Sequence, residues 1–69
     1  MYKEINDNNI FTMKEMQERY KGVAILFDEI DSRKGNIIAI ADTEDYDKLG
    51  VKQKECIKIG MDATICFSD

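Results

Sequence analysis

The order of apolar and polar residues divides the chain into five elements. Val23-Ala24-Ile25-Leu26-Phe27 is an unbroken apolar run ahead of Asp28-Glu29-Ile30. Such a run predicts a central strand over 23–30, covered on both faces. Val23, Ile25 and Phe27 then point one way, and Ala24, Leu26 and Ile30 the other. Asp31 to Gly35 reads as a hairpin loop, with Gly35 supplying a positive φ at its end. Asn36 to Asp42 reads as a second, antiparallel strand, with Ile38 and Ile40 on one face and Ile37, Ala39 and Ala41 on the other. Upstream, Met13, Met16 and Tyr20 form a narrow helical stripe. Thr12 with Glu15 forms a capping box, and Gly22 stands where that helix would stop.

From Asp42 onward the pattern is ambiguous. A helix from about Glu44 to Ile59 would gather Tyr46, Leu49, Cys56 and Ile57 on one face and Lys52, Lys54, Glu55 and Lys58 on the other. Gly50 would weaken it by ~1 kcal/mol relative to alanine, and Gly60 would end it. The stretch 51–60 also alternates (Lys52, Lys54, Lys58 against Ile57, Ile59), as a strand does. In that rival reading Gly60-Met61-Asp62 is a turn and Cys56 faces Cys66. Ala63 to Phe67 is the last strand, with Ala63, Ile65 and Phe67 on one face and Thr64 and Cys66 on the other. Residues 1–11, rich in Asn and charge, read as a flexible N-terminal segment.

The expected fold is therefore α+β: a small two-layer domain of order α-β-β-α-β, with a three-stranded sheet of strand order 2-1-3. The face bearing Val23, Ile25, Phe27, Ile38, Ile40, Ile65 and Phe67 is one seat for the long helix, leaving the face with Ala24, Leu26, Ala39, Ala41 and Cys66 to the first helix or another subunit; the two assignments depend on register and can be exchanged. Sixty-nine residues make one domain, 1–69. A chain this short hides only ~60% of the surface of its unfolded form.

Net charge is −4 with 35% charged residues, which argues against direct nucleic-acid binding and against anionic membranes. No apolar run is long enough to span a bilayer, and residues 1–20 lack a signal-peptide core. With two cysteines and no histidine, neither a disulfide scaffold nor a zinc motif is expected, and the expected setting is cytoplasmic.

Met13-Lys14-Glu15-Met16-Gln17-Glu18-Arg19-Tyr20-Lys21-Gly22, running into Val23-Ala24-Ile25, resembles an uncharacterised family of short bacterial and archaeal domains. Those domains have a helix ending in Tyr-Lys-Gly, a β-hairpin, a helix and a strand, and the resemblance covers residues 12–67. Family members usually have Trp near the start of the first strand and often Gly after the second. This chain has no Trp, and Ala41-Asp42 follows its second strand. The resemblance implies the topology and no activity.

Histidine, the usual acid–base group at neutral pH, is missing, and no carboxylate, Lys, Tyr or Cys has an evident catalytic partner. The chain is accordingly expected not to be an enzyme and to need no cofactor. Cys56 and Cys66 fit inert core thiols. Asp28, Glu29 and Asp31 with Asp42 to Asp47 form a conceivable carboxylate cluster, but no EF-hand spacing is present.

The sharpest charge feature is Asp42-Thr43-Glu44-Asp45-Tyr46-Asp47. It suits an acidic helix start capped by Asp42 or Thr43. It also makes Asp42, Glu44, Asp45, Tyr46 and Asp47 candidate partner-binding residues for a basic protein surface, with Tyr46 as anchor. The expected function is that of a small acidic interaction protein that modulates another protein, antitoxin-like or a phage-encoded inhibitor. The alternatives are a self-associating homodimer module and, third, a weakly metal-dependent or enzymatic protein.

Overall fold

The computed structural model describes residues 1–5 and 7–68. The elements are β1 (Tyr2–Glu4), β2 (Phe11–Thr12), α1 (Met13–Arg19), β3 (Ala24–Asp31), β4 (Lys34–Ala41), α2 (Tyr46–Lys58) and β5 (Ala63–Phe67). They form an α+β domain around one antiparallel sheet of order β1-β4-β3-β5, with β2 also pairing β4. The expected three-stranded sheet is thus replaced by a five-stranded one. The difference lies in the N-terminal segment read as flexible. Tyr2, Lys3 and Glu4 pair with Ala41, Ile40 and Ala39, while Phe11 and Thr12 pair with Gly35 and Lys34. Strands of three and two residues are too short to leave a periodic signal. They form because β4 offers an open edge whose N–H and C=O groups need partners.

Two layers become three. Leu49 and Cys56 of α2 pack on Ala24, Leu26, Ala39, Ala41 and Ala63. Met16 of α1 packs on Ile25, Phe27, Ile37, Ile40 and Cys66 on the opposite face. The long helix therefore sits on the face of Ala24, Leu26, Ala39 and Ala41; of the large residues expected to carry it, Ile38 and Ile65 pack there, while Val23, Ile25, Phe27 and Ile40 lie on the other face. Alanines let a helix approach the sheet closely. The seven-residue α1 contributes little bulk, so on its side the sheet supplies the volume, supplemented by Ile5, Phe11, Tyr20 and Val23. Cys56 and Cys66 fall in different clusters on opposite sides of the sheet and are both free.

Two bulges reset the faces. Leu26 pairs with Ala39 but Phe27 pairs with Ile37, so β4 carries one extra residue at Ile38. This places Ile37 and Ile40 in one cluster and turns Ile38 toward the other, against the simple alternation expected. A second slip between Glu29 and Asp31 makes Ile30 the extra residue of β3, and Ile30 is exposed. In the hairpin the positive φ falls on Arg33, at 60°. Gly35 instead lies buried within β4.

Helix α1 has the capping box: Glu15 N donates to Thr12 Oγ1 at 3.1 Å, and Thr12 N donates to Glu15 Oε1 at 2.9 Å. The stretch 46–58 is helical, because Leu49 and Cys56, seven residues apart, meet the alanine face only in a helix. Ile57 and Ile59 stay exposed. Among the described residues no helix is long and apolar enough to cross a membrane.

Candidate functional site

Asp42 follows directly on β4, and Tyr46 opens α2. Residues 42–45 turn the chain between them: Asp45 N donates to the Asp42 carbonyl oxygen and to Asp42 Oδ1, each at 3.2 Å. Asp42 therefore caps this turn. The residue that precedes α2 is Asp45, whose side chain makes no capping bond.

Strand β1 brings Met1 alongside. Asp42 N donates to the Met1 carbonyl oxygen at 3.0 Å, which places the Met1 ammonium 2.7 Å from Asp42 and 2.5 Å from Asp45. Lys48 approaches Asp45 at 3.4 Å. The side-chain hydrogen bonds from this ammonium hold both carboxyls below their usual range, and the same bonds raise the ammonium above its usual value of about 8. Glu15 is likewise lowered, by its bonds with Thr12.

These directions set a pH dependence. For the lowered carboxylates, stability is fully present above their unfolded values near 4 and is lost as pH falls through the folded ones. For the raised ammonium, stability is present below about pH 8 and is lost as pH rises through the folded value. Urea midpoints are therefore expected to fall below pH 4 and again above pH 8. In Asp42→Asn/Asp45→Asn the alkaline decline should shrink to the part carried by Cys66 and Tyr2, both raised by burial, and the acid decline to the part carried by Glu15. An unchanged alkaline limb in that variant would remove the ammonium from the explanation.

The five candidate residues therefore divide. Asp42 and Asp45 are engaged within the chain. Glu44 and Asp47 are exposed and belong to no salt bridge found among the described residues. Tyr46, 39% exposed, stands against Phe67, 62% exposed, with ring centroids 5.3 Å apart and planes tilted by 42°.

Phe67 was expected in the core. It lies beside Ala24 at the end of β5, on the rim of the sheet, where Tyr46 covers it in part. The polar Ser68 and Asp69 that follow it are the hint the residues offer. Together the two rings border a surface pocket of about 360 Å³ lined by Gly22, Val23, Asp42, Thr43, Tyr46, Phe67 and Ser68, among others. The Ser68 hydroxyl donates to the carbonyl oxygens of Tyr20 and Val23 and closes one side.

Compared with family models, curated proteins and solved structures, the chain matches none.

Asp28, Glu29 and Asp31 do not join this group. Ala24 pairs with Ala41 at one end of β3 and Asp31 pairs with Lys34 at the other, so the two acidic stretches lie at opposite ends of the sheet. Among the described residues, no three His, Cys, Asp or Glu side chains converge as a metal site would require. Cys66 is buried, and that burial pushes its thiol up, away from the reactive thiolate. The site offers an aromatic surface, exposed carboxylates and a concave floor, which together suit recognition of a cationic group.

Proposed function

We propose that this chain is a small acidic, non-enzymatic interaction domain that binds and modulates a protein with a basic surface, in the manner of an antitoxin-like protein or a phage-encoded inhibitor. The observation that carries this reading is the exposed Tyr46–Phe67 pair lining a surface pocket, with the exposed Glu44 and Asp47 next in sequence to its lining residues Thr43 and Tyr46. A Lys or Arg side chain laid over either ring gains ~0.5–1 kcal/mol at an exposed site. Glu44 and Asp47 would steer it in and raise the association rate more than the final affinity. The Met1 ammonium between Asp42 and Asp45 supports the same chemistry, because this turn already holds one cation. The cytoplasmic setting belongs to this reading: two unpaired buried thiols suit a reducing compartment.

A peptide rich in Arg and Lys, titrated into ¹⁵N-labelled protein, tests it. Saturable shifts are expected at Tyr46, Phe67 and Thr43. Phe67→Ala should weaken binding by about two- to fivefold, the ~0.5–1 kcal/mol of the lost ring contact. Glu44→Lys/Asp47→Lys should slow association at low salt and cost the fold only the helix-dipole support of ~0.3–1 kcal/mol per charge. Shifts spread over all acidic surfaces, with Phe67→Ala without effect, would overturn the reading.

A further inference from the structure

Strand β5 pairs with β3 on one side, and its other side is the rim of the sheet. The register tells which backbone groups face that rim. Ser68 N donates to the Val23 carbonyl oxygen at 3.1 Å, and Glu29 N donates to the Asp62 carbonyl oxygen at 2.9 Å. Both bonds continue the register that pairs Ala24 with Phe67 and Asp28 with Ala63. Bonded pairs alternate along an antiparallel ladder. Asp62, Thr64, Cys66 and Ser68 therefore turn their N–H and C=O groups toward β3, while Ala63, Ile65 and Phe67 turn theirs outward.

Side-chain amides cover two of these outward carbonyls. Gln17 of α1 donates from Nε2 to the Phe67 carbonyl oxygen at 2.9 Å. Gln53 of α2 donates from Nε2 to the Ala63 carbonyl oxygen at 3.0 Å. The two helices lie on opposite faces, so the rim is reached from both sides and at both ends. Ile65, midway between, has no such cover among the described residues.

We propose that the outer edge of β5 is the surface at which two copies of this chain join, by antiparallel β5–β5 pairing about a two-fold axis at Ile65, and that Gln17 and Gln53 restrain this pairing. In that arrangement Ile65 meets Ile65 of the second copy and Ala63 meets Phe67. Every outward N–H and C=O of these residues then finds its complement. The edge is self-complementary in size as well, because the small Ala63 lies opposite the exposed Phe67. Thr64, Ile65 and Cys66 are uncharged, so no like charges face each other at the axis, although each copy carries a net charge of −4. The opposite rim is a poorer site: β1 and β2 are three and two residues long, and β1 carries Lys3 and Glu4. Pairing must displace or share the two glutamine bonds on each copy, and for that reason the glutamines oppose it.

Sedimentation equilibrium of Gln17→Ala/Gln53→Ala beside the parent chain tests the proposal. The double variant should dimerise with a dissociation constant at least tenfold lower than the parent's. Each single variant, which keeps one cover, should fall between. Added salt should tighten the dimer, since it screens like-charged copies, whereas it should weaken the basic partner of the proposed function. A double variant made by chemical synthesis with N-methylated Ile65 loses only the central outward donor, which takes no part in the β3 ladder. It should return to a monomer. A double variant that sediments as an 8.0 kDa species at high micromolar concentration, with folding confirmed by circular dichroism, would overturn the proposal. So would a dimer indifferent to N-methylation of Ile65.

Discussion

Phe27→Ala is expected to leave the domain unfolded or barely folded at room temperature. Phe27 is fully buried at 0% exposure and sits at the middle of β3. It pairs with Ile37 on one side and Thr64 on the other. Its ring packs in the cluster with Met16, Ile25, Ile37, Ile40 and Cys66. Removing such a ring costs ~3–5 kcal/mol, through lost transfer energy and the cavity left behind. A chain of this size has a total stability of only ~3–10 kcal/mol. Each kcal/mol moves the melting point of a small domain by ~4–8 °C, so the expected shift exceeds ~12 °C. Phe27→Leu, which keeps most of the volume, should retain the fold and lose far less. An alanine variant melting within a few degrees of the parent would show that this cluster is not what holds the sheet to α1.

The second large effect is expected at Gly35, from added rather than removed atoms. A Cβ built there lands far inside van der Waals contact distance of the Asp28 carbonyl oxygen, 2.8 Å from the Asp28 carbonyl carbon and 3.1 Å from Cδ2 of Phe27. The first two are backbone atoms held in the β3–β4 ladder, so no side-chain rotation relieves the overlap. Gly35→Ala should therefore cost ~3 kcal/mol or more, at or beyond the upper end of ordinary overpacking. It should also disturb Phe11, which pairs with Gly35, and through it the seat of α1. The contrast is Gly50, where an added Cβ meets nothing within 4 Å. Gly50→Ala lies in α2 and should stabilise by up to ~1 kcal/mol. Urea denaturation of the two variants side by side measures both. A Gly35→Ala midpoint equal to the parent's would mean that β3 and β4 can separate locally at no cost.

The candidate site was only half legible in the sequence. Asp42, Glu44, Asp45, Tyr46 and Asp47 stand out as a run, and a run can be read without a fold. What divides them is Met1, and Met1 reaches Asp42 only because β1 pairs with the end of β4. Phe67 joins Tyr46 because β3 brings the end of β5 beside the end of β4. Residues twenty-one positions apart leave no mark of such a meeting in a linear pattern.

Local chemistry determined the rest of what could be read. Thr12 and Glu15 write the start of α1 because a capping box uses side chains three residues from each other's backbone. Val23 to Phe27 declares a buried strand because every position is apolar. Both signals depend on neighbours in sequence, so they survive without a tertiary structure. The tertiary structure alone decided three things. The N-terminal strands exist because β4 has an edge to satisfy. The long helix took the alanine face because close approach there needs small side chains on the sheet. The bulges at Ile38 and Ile30 moved isoleucines between faces because a single extra residue inverts a period of two. In each case the energy comes from pairing or packing between residues distant in the chain, and a reading of local periodicity has no access to it.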